Sequence, residues 1–552
     1  MASYNDGISY AQDVVAGNIV ACKQVKQSCQ RFLDDLDRDD WRWTFSIKHV
    51  NHVLNFITKA CKHVKGPLAG QLIKLEPWQV FIFCNVYGWI DLDNGERRFQ
   101  YVLLEVARKN GKSLFASAIA LYELLFGDEG SDIYSVATKR EQARICFDAA
   151  VRMYEKMPEK FANKYRSYQA ALTVPDKWSK YVPQGRDSKT GDGLNPSLNI
   201  FDEAAAYSDR NAVEVMTSAC GARLNYMNLF ITTAQFTKVS VYFEQRTYLE
   251  GLLSGKFDDD RYFGLIYTLD PDDDWTDEEV WIKANPGLGV APSVDFLRNE
   301  CKQAQEITAK RNSFLVKQLN VWTNNAESWI DSHLWDRPEN LVEEVTSDGE
   351  LYIGMDLAMT DDLTALAMLY VNGDHYEADF KCFLPEHAMQ NASVHVQPIY
   401  REAHRRGSLI LTEGSVTDYN FLEQYIRQLA ETKKLQAIAY DPYNACQLVT
   451  NLEQDNLPLL RVGQSIGHIS PAAKETQRLI MRDEIKHTLD PFITWQLENC
   501  SVYTDLNDNI KVRKGEDHTQ KIDAIIALIM AVSLAAGKLE EEKVASISFI
   551  QF

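Results

Sequence analysis

The chain comprises 552 residues with 58 basic against 78 acidic side chains, a formal charge of −20, and 45% of its residues are hydrophobic. At about 150 residues per domain this length implies at least two domains, and 25% charged and 11% aromatic residues exclude extended disorder and fibrous structure. The acidic total argues against nonspecific coating of nucleic acid but leaves a local basic channel open, because binding follows the distribution of charge rather than its sum.

The first residues, Met1 through Asp13, lack a basic-then-apolar leader. No run reaches the roughly 18 apolar residues of a membrane span, and the longest, Ala524 to Gly537, is too short. The expectation is a soluble intracellular protein. Cysteines 22, 29, 61, 84, 146, 220, 301, 382, 446 and 500 form no C-x-x-C pair, so neither a zinc cluster nor a disulfide framework is signalled and reduced core fillers are expected. Residues 1–65 read as a polar, amphipathic helical extension with an apolar patch at Trp41, Trp43, Phe45 and Ile47.

From Phe99 the pattern changes to short apolar runs, Phe99–Val106, Ile133–Ala137, Leu198–Phe201 and Leu229–Thr232, alternating with helical stretches such as Leu114–Phe126. Such alternation predicts an α/β fold with a parallel sheet. Between the first strand and its helix stands Val106-Ala107-Arg108-Lys109-Asn110-Gly111-Lys112-Ser113, where backbone N–H groups and a helix N-terminus face an anion. The common phosphate-loop pattern has glycine where this chain has Val106, and the Gly-Lys-Ser triplet alone is compatible with a surface turn.

The partner elements follow in order. Leu198–Phe201 ends in Asp202-Glu203: a nucleotide hydrolase needs one carboxylate to hold Mg²⁺ and one to polarise water, although two acids also suit a helix N-terminus. In this scheme Lys112 neutralises the β- and γ-phosphates, Ser113 and Asp202 attend the metal, and Glu203 orients water. The strand Leu229–Ile231 ends in Thr232-Thr233-Ala234, hydroxyls suited to sensing the γ-phosphate. Upstream, Gln79 in Pro77-Trp78-Gln79 is placed to read the adenine edge bidentately, with Trp78 equally suited to the core.

The acidic run Asp270–Glu279 reads as a solvated linker or helix start, and residues 281–335 as mostly helical with a turn at Asn285-Pro286-Gly287. A second α/β pattern follows: strands at Leu351–Met355, Thr364–Val371 and Ala437–Tyr440, then an apolar helix over Ile522–Ala536. Asp356 and Asp441 follow two of the strands and Asp523 opens the helix. Each acid taken singly is an ordinary strand end or cap. Together they suit two-metal phosphodiester hydrolysis, in which converging carboxylates hold two Mg²⁺ or Mn²⁺ ions about 4 Å apart. No internal repeat is present.

With these motifs in this order the chain resembles the large terminase subunit of tailed bacteriophages, the ATP-driven motor and nuclease that packages DNA into procapsids. The resemblance rests on Arg108–Ser113, in which the family also tolerates loss of the first glycine. It continues through Leu75-Glu76-Pro77-Trp78-Gln79, Gly193-Leu194-Asn195-Pro196, Asp202-Glu203, Thr232-Thr233-Ala234 and Ala284-Asn285-Pro286-Gly287-Leu288-Gly289, covering about 66–540. It implies an ASCE-type P-loop ATPase domain at 66–270, a linker region at 271–345, a ribonuclease H-like nuclease domain at 346–540 and a flexible tail at 541–552. The nucleotide contacts implied are Gln79, Arg108, Lys109, Asn110, Gly111, Lys112, Ser113, Asp202, Thr232 and Thr233. Arg108 and Glu203 join the hydrolytic machinery, and Thr232-Thr233 couple hydrolysis to DNA movement.

By the same resemblance Asp356, Asp441 and Asp523 hold the nuclease metals, with Thr360-Asp361-Asp362-Leu363-Thr364 following the first and Asp362 as an extra contact. Lys474, Arg478 and His487 are candidates for the scissile phosphate; Lys511, Arg513 and Lys514 for tracking the DNA backbone. A trans-acting arginine finger is expected, with Arg186 and Arg223 as candidates. The implied cofactors are ATP, Mg²⁺ at the ATPase site and two Mg²⁺ or Mn²⁺ at the nuclease site. The implied partners are double-stranded DNA, the portal, the small terminase subunit and further copies in a pentameric ring. The implied location is the host cytoplasm, docked transiently on the procapsid and absent from the mature virion. A repair helicase-nuclease and a DNA-binding assembly protein with structural carboxylates are the competing readings.

Overall fold

The computed structural model describes residues 2–537 apart from 40, 138–139, 169, 186–192, 208–209, 237–239, 324–327, 346–347, 359–361, 394–395, 443–445, 506 and 516–518. Arg186, Thr360, Asp361 and the tail at 541–552 lie outside the described residues. The chain divides into two compact units, 1–323 and 324–552, so neither 1–65 nor 271–345 stands as a unit of its own. Among the described residues no helix is long and apolar enough to cross a membrane.

In the first unit the amphipathic pattern of the N-terminal region resolves into three helices, Tyr4–Ala16, Lys23–Leu36 and Ile47–Ala60. Their apolar stripes, including Val14, Phe32, Val53 and Ile57, are buried with Phe81 and Phe83 of helix Pro77–Gly88 in the main core. Strands β1 (Trp43–Phe45) and β2 (Trp89–Asp91) form an antiparallel pair. The main sheet contains β3 (Tyr101–Glu105), β4 (Asp132–Ala137), β5 (Arg166–Ser167), β6 (Leu172–Val174), β7 (Ser179–Gly185), β8 (Pro196–Asp202), β9 (Met227–Thr232) and β10 (Tyr262–Ile266). Its order is β10-β3-β9-β8-β4-β7-β6-β5, parallel from β10 to β7 and antiparallel beyond. β8 and β9 are buried at every position, which is why apolar residues fall on both faces, as in Ile200-Phe201 and Leu229-Phe230-Ile231, rather than alternating with exposed polar ones. One strand, β9, separates the phosphate-loop strand from the strand ending in Asp202, the insertion that defines the ASCE arrangement.

Residues beyond the acidic run fold back on this unit. Trp281, Ala284, Leu297, Phe314 and Leu319 share a core with Ala107 of the phosphate loop, so the segment expected as a linker supports the loop from one side.

The second unit is built on a mixed sheet of β11 (Leu341–Val342), β12 (Glu350–Asp356), β13 (Thr364–Asn372), β14 (His375–Pro385), β15 (Leu409–Thr412), β16 (Lys434–Tyr440), β17 (Leu459–Arg461) and β18 (Ile485–Thr488). The order is β11-β18-β14-β13-β12-β16-β17, with β15 beside β14. β12, β13 and β14 are antiparallel, while β16 and β17 run parallel to β12. This 3-2-1-4-5 arrangement is the ribonuclease H-like order expected. A separate hairpin, β19 (Cys500–Thr504) and β20 (Ile510–Lys514), precedes helix Asp523–Ala535, which is apolar on every face because it is buried all round.

That helix lies so close to the sheet that a Cβ on Gly354 would meet Ala527 O at 1.9 Å and Ala531 N at 2.9 Å. Both obstacles are backbone and cannot rotate away. Gly354→Ala is therefore expected to destabilise the protein by about 3 kcal/mol, the upper end of overpacking costs. Thermal unfolding checks this, and an unchanged Tm would show that the helix is free to shift.

Candidate active sites

The loop after β3 is shaped by two left-handed residues, Lys109 at φ +71° and Gly111 at φ +81°. They turn the chain so that helix Lys112–Phe126 begins at Lys112 with its N-terminus facing the loop. Lys112 Nζ donates to Val106 O at 2.8 Å, Ala107 O at 3.2 Å and Thr233 Oγ1 at 2.6 Å. Thr233 Oγ1 in turn donates to Val106 O at 3.2 Å. The lysine of the loop and the hydroxyl at the end of β9 are thus already joined. Thr232 Oγ1 accepts from Ala205 N at 3.1 Å, tying β9 to the turn that follows the acid pair.

Asp202 ends β8, and Glu203 adopts a left-handed φ of +51°, an uncommon conformation for a non-glycine residue that reverses the chain into the Ala204–Ala206 turn. Cys146, on helix Arg140–Glu155, donates its thiol to Asp202 Oδ2 at 3.2 Å. Burial pushes the Asp202 carboxyl up to about 6, with Glu203 adding to the effect and the Cys146 hydrogen bond opposing it. A buried carboxylate with a raised pKa, beside a hydroxyl and facing a lysine, is a donor set that a divalent cation would relieve.

Burial also lowers the Lys112 ammonium to about 8, against the opposing pull of Glu203 and Asp202. Above that pH the lysine loses the proton with which it would neutralise phosphate. Nucleotide affinity is expected to fall as pH rises from about 8 to 10, with proton uptake on binding. Titration calorimetry in buffers of different ionisation enthalpy checks this, and a pH-independent affinity without proton uptake would contradict it. For folding the sign is opposite: the unfolded chain holds more protons between the lowered value and the ordinary 10.5, so this group's contribution to stability rises with pH there.

Several side chains are engaged differently from expectation. Asn110 is buried and turned away from the loop's open side: its Nδ2 donates to Asn285 Oδ1 at 2.9 Å, and its Oδ1 accepts from Gly287 N at 3.2 Å. The Asn285-Pro286-Gly287 turn is thus the loop's anchor. Arg108 N donates to Lys317 O at 3.0 Å, while the Arg108 side chain is exposed and its charge opposes that of Lys112. Gln79 Oε1 accepts from Glu76 N at 3.0 Å in a capping box, so its amide does not offer the free bidentate edge expected for adenine. Trp78 is buried against Tyr267. Arg223 donates to Asn195 O and Gly130 O near the N-terminal ends of β8 and β4, and so is pinned by carbonyls rather than extended as a finger.

A buried ion pair went unrecognised in the sequence. Glu105, the last residue of β3, is fully buried, with Arg246 Nε at 3.2 Å and Trp322 Nε1 at 3.1 Å. Asn320 donates to it at 3.3 Å and accepts from Ala234 N at 2.7 Å. Nothing in a lone glutamate after four apolar residues announces partners more than 140 positions away.

In the second unit Asp356 ends β12 and Asp441 follows β16. These strands are parallel neighbours with Met355 beside Tyr440, so the two acids emerge side by side. Asp523 opens the apolar helix that packs on β12. The Asp356 carboxyl is pushed well up, first by burial and then by Asp523, Asp441 and Asp362, while a hydrogen bond from Gln464 opposes the rise. Asp523 is raised to about 7 by burial and by Asp362, with Lys521 and Lys514 pulling it down. Lys521 is ion-paired with Asp362. Among the described residues no three such side chains close into a tight cage as they stand. Yet buried carboxylates such as Asp356 and Asp523, pushed up by burial with further acids close by, are the donor chemistry that divalent cations satisfy.

The phosphate candidates are corrected. His487 is buried and stacked on Trp335 with ring centroids 3.7 Å apart, its nitrogens directed at Trp335 O and Thr488 O. Arg478 is held by Glu475 and Glu484, and Lys474 donates to Asp508 O. Lys511, Arg513 and Lys514 lie on β20, with Arg513 over the Tyr503 ring and Lys514 near enough to influence Asp523. Gln464, Lys521 and Cys146 were not assigned roles from the sequence, and only Lys521, beside Asp523, had a positional signal.

A P-loop ATPase unit followed by a ribonuclease H-like unit with converging acids defines a nucleotide-driven nuclease. The family model for the terminase large subunit ATPase domain matches residues 77–251, and that for the terminase large subunit endonuclease domain matches residues 256–538. The chain belongs to the terminase large subunit family. It is 26% identical to the terminase large subunit of Enterobacteria phage HK97 over 499 residues, covering 89% of this chain and 96% of that one. It is 25% identical to the terminase large subunit of Lactococcus phage SK1 over 500 residues, covering 85% and 89%. Among solved structures, the HK97 large terminase crystal structure aligns with 88% of this chain and 99% of its own, at 25% identity and a TM-score of 0.44.

Proposed function

We propose that the first unit drives double-stranded DNA into a procapsid by ATP hydrolysis and that the second cuts the concatemeric genome when packaging starts and ends. The observation that carries this reading is the joining of Lys112 to Thr233 beside Asp202-Glu203 in a chain that also converges Asp356, Asp362, Asp441 and Asp523. Phosphates arriving at the loop would draw Lys112 from Val106 O, Ala107 O and Thr233. Its departure changes the hydrogen bonding of Thr233, at the end of β9, which gives the threonine pair a means of responding to nucleotide. Glu203, held in its left-handed turn, orients the attacking water. Mg²⁺, when bound, supplies charge neutralisation at the β- and γ-phosphates, and Ser113 and Asp202 would hold it.

At the nuclease site Asp356, Asp441 and Asp523 would hold two Mg²⁺ or Mn²⁺ ions, with Asp362 at the rim. Those ions, when bound, supply Lewis-acid chemistry at the phosphodiester. Gln464, which opposes the rise of the Asp356 carboxyl, stands beside it at this site. Lys511, Arg513 and Lys514 on β20 grip phosphates without reading bases, as packaging of any sequence requires.

The partners proposed are the portal, the small terminase subunit and further copies in a pentameric ring, acting in the host cytoplasm and docked transiently on the procapsid. The test is ATP-dependent uptake of linear duplex into purified procapsids carrying portals, beside a forked-duplex assay. Uptake of intact duplex without strand separation is the expected result. Unwinding of the fork without uptake would favour a repair helicase-nuclease.

A further inference from the structure

Lys521 pairs directly with a member of the nuclease acid cluster, its Nζ donating to Asp362 Oδ1, and its charge also steadies Asp523. The backbone that carries this lysine is anchored on both sides. Lys521 O accepts from Asn499 Nδ2 at 3.1 Å, and Ala524 N, three residues on, donates to Gln496 Oε1 at 2.9 Å. The lysine side chain is 16% exposed against 46% for Asp362, so it reaches outward from the floor of the site to a carboxylate at its rim. The same lysine lines a cavity of about 260 Å³ shared with His387, Asn391, Tyr400 and Thr519, with room for a phosphate group.

We propose that Lys521 is a catalytic residue with two alternative anionic partners: Asp362, as in this structure, and a phosphate oxygen of bound DNA once divalent cations neutralise Asp362. This rests on the nuclease reading of the acid cluster. An ammonium and a divalent cation beside one carboxylate compete for it, since each lowers the field that attracts the other. Removing the ammonium therefore strengthens cation binding to the acids. It also deprives the phosphate of a positive charge where negative charge develops during cleavage, and so weakens catalysis. A lysine that only holds the fold together predicts no such opposition of effects.

The experiment uses the full chain with Mn²⁺ as the probe. Mn²⁺ binding is measured by titration calorimetry without DNA, linear duplex cleavage at saturating Mn²⁺, and ATP turnover as a check on folding, for wild type, Lys521→Gln, Lys521→Arg and Asp356→Asn. Lys521→Gln is expected to bind Mn²⁺ on the order of tenfold more tightly, to cleave roughly 10²-fold more slowly and to keep its ATP turnover. Lys521→Arg keeps the charge and is expected to bind Mn²⁺ like wild type while cleaving faster than Lys521→Gln. Unchanged or weaker Mn²⁺ binding by Lys521→Gln, or cleavage at the wild-type rate, overturns the proposal. If Asp356→Asn loses binding and cleavage while Lys521→Gln matches wild type, the lysine proposal alone falls. If Asp356→Asn retains both, the nuclease reading falls and the lysine proposal with it.

Discussion

Lys112→Ala is expected to lower ATP turnover by ~10³-fold or more while metal-dependent DNA cleavage by the same preparation stays near the wild-type rate. Lys112 is the buried ammonium of the loop, and it bonds Val106 O, Ala107 O and Thr233 Oγ1. Its loss removes the charge meant for phosphate and the hydrogen bond to the β9 threonine together. The nuclease acids belong to the other compact unit and share no partner with Lys112, so the two effects are expected to be independent. Parallel assays of phosphate release and plasmid cleavage check this. Full ATP turnover in the variant would mean that the loop does not serve hydrolysis, and loss of both activities in a folded protein would contradict separate sites.

Asp356→Asn is the mirror case, with cleavage expected to fall by ~10³-fold or more and ATP turnover to persist. The Asp356 carboxyl is pushed up first by burial and then by the fields of Asp523, Asp441 and Asp362. The amide is nearly isosteric but carries no charge to attract cations. It also removes like-charge repulsion, so the Tm measured without divalent cations is expected to hold or rise slightly. Activity lost without stability lost is the pattern of residues held for function at the expense of the fold. Cleavage at the wild-type rate would remove Asp356 from the metal-binding set, and a large fall in Tm would assign it a structural role.

The remaining expectations probe the frame around these sites. Gly354→Ala tests whether the close approach of the apolar helix to β12 is as rigid as its backbone contacts imply. The pH dependence of nucleotide affinity tests whether burial, rather than the neighbouring acids, dominates Lys112.

Strand runs, the phosphate loop and the acids were legible because each is a local pattern. A fully buried parallel strand puts apolar residues on both faces, as β8 does with Ile200-Phe201 and β9 with Leu229-Phe230-Ile231. A phosphate cradle has to lie between a strand and a helix N-terminus, and an acid beside an apolar run has to find a counter-charge. Such requirements act over a few residues and are therefore written in consecutive letters.

What each polar side chain touches was decided only by tertiary structure. Asn110 looked like a nucleotide contact but bonds Asn285, 175 positions away. His487 looked like a phosphate contact but is stacked on Trp335. Gln79 is spent on a helix cap and Arg223 on carbonyls, while Cys146 and Gln464 reached sites that no spacing had connected to them. The stretch after Asp270 read as a linker because its charge is local, yet its Trp281 and Phe314 are buried with Ala107 beneath the loop. Hydrophobic periodicity is a property of one element and survives in one dimension. A hydrogen bond or ion pair between distant elements is directional and short-ranged, so its partners are chosen only when packing brings them within about 3 Å.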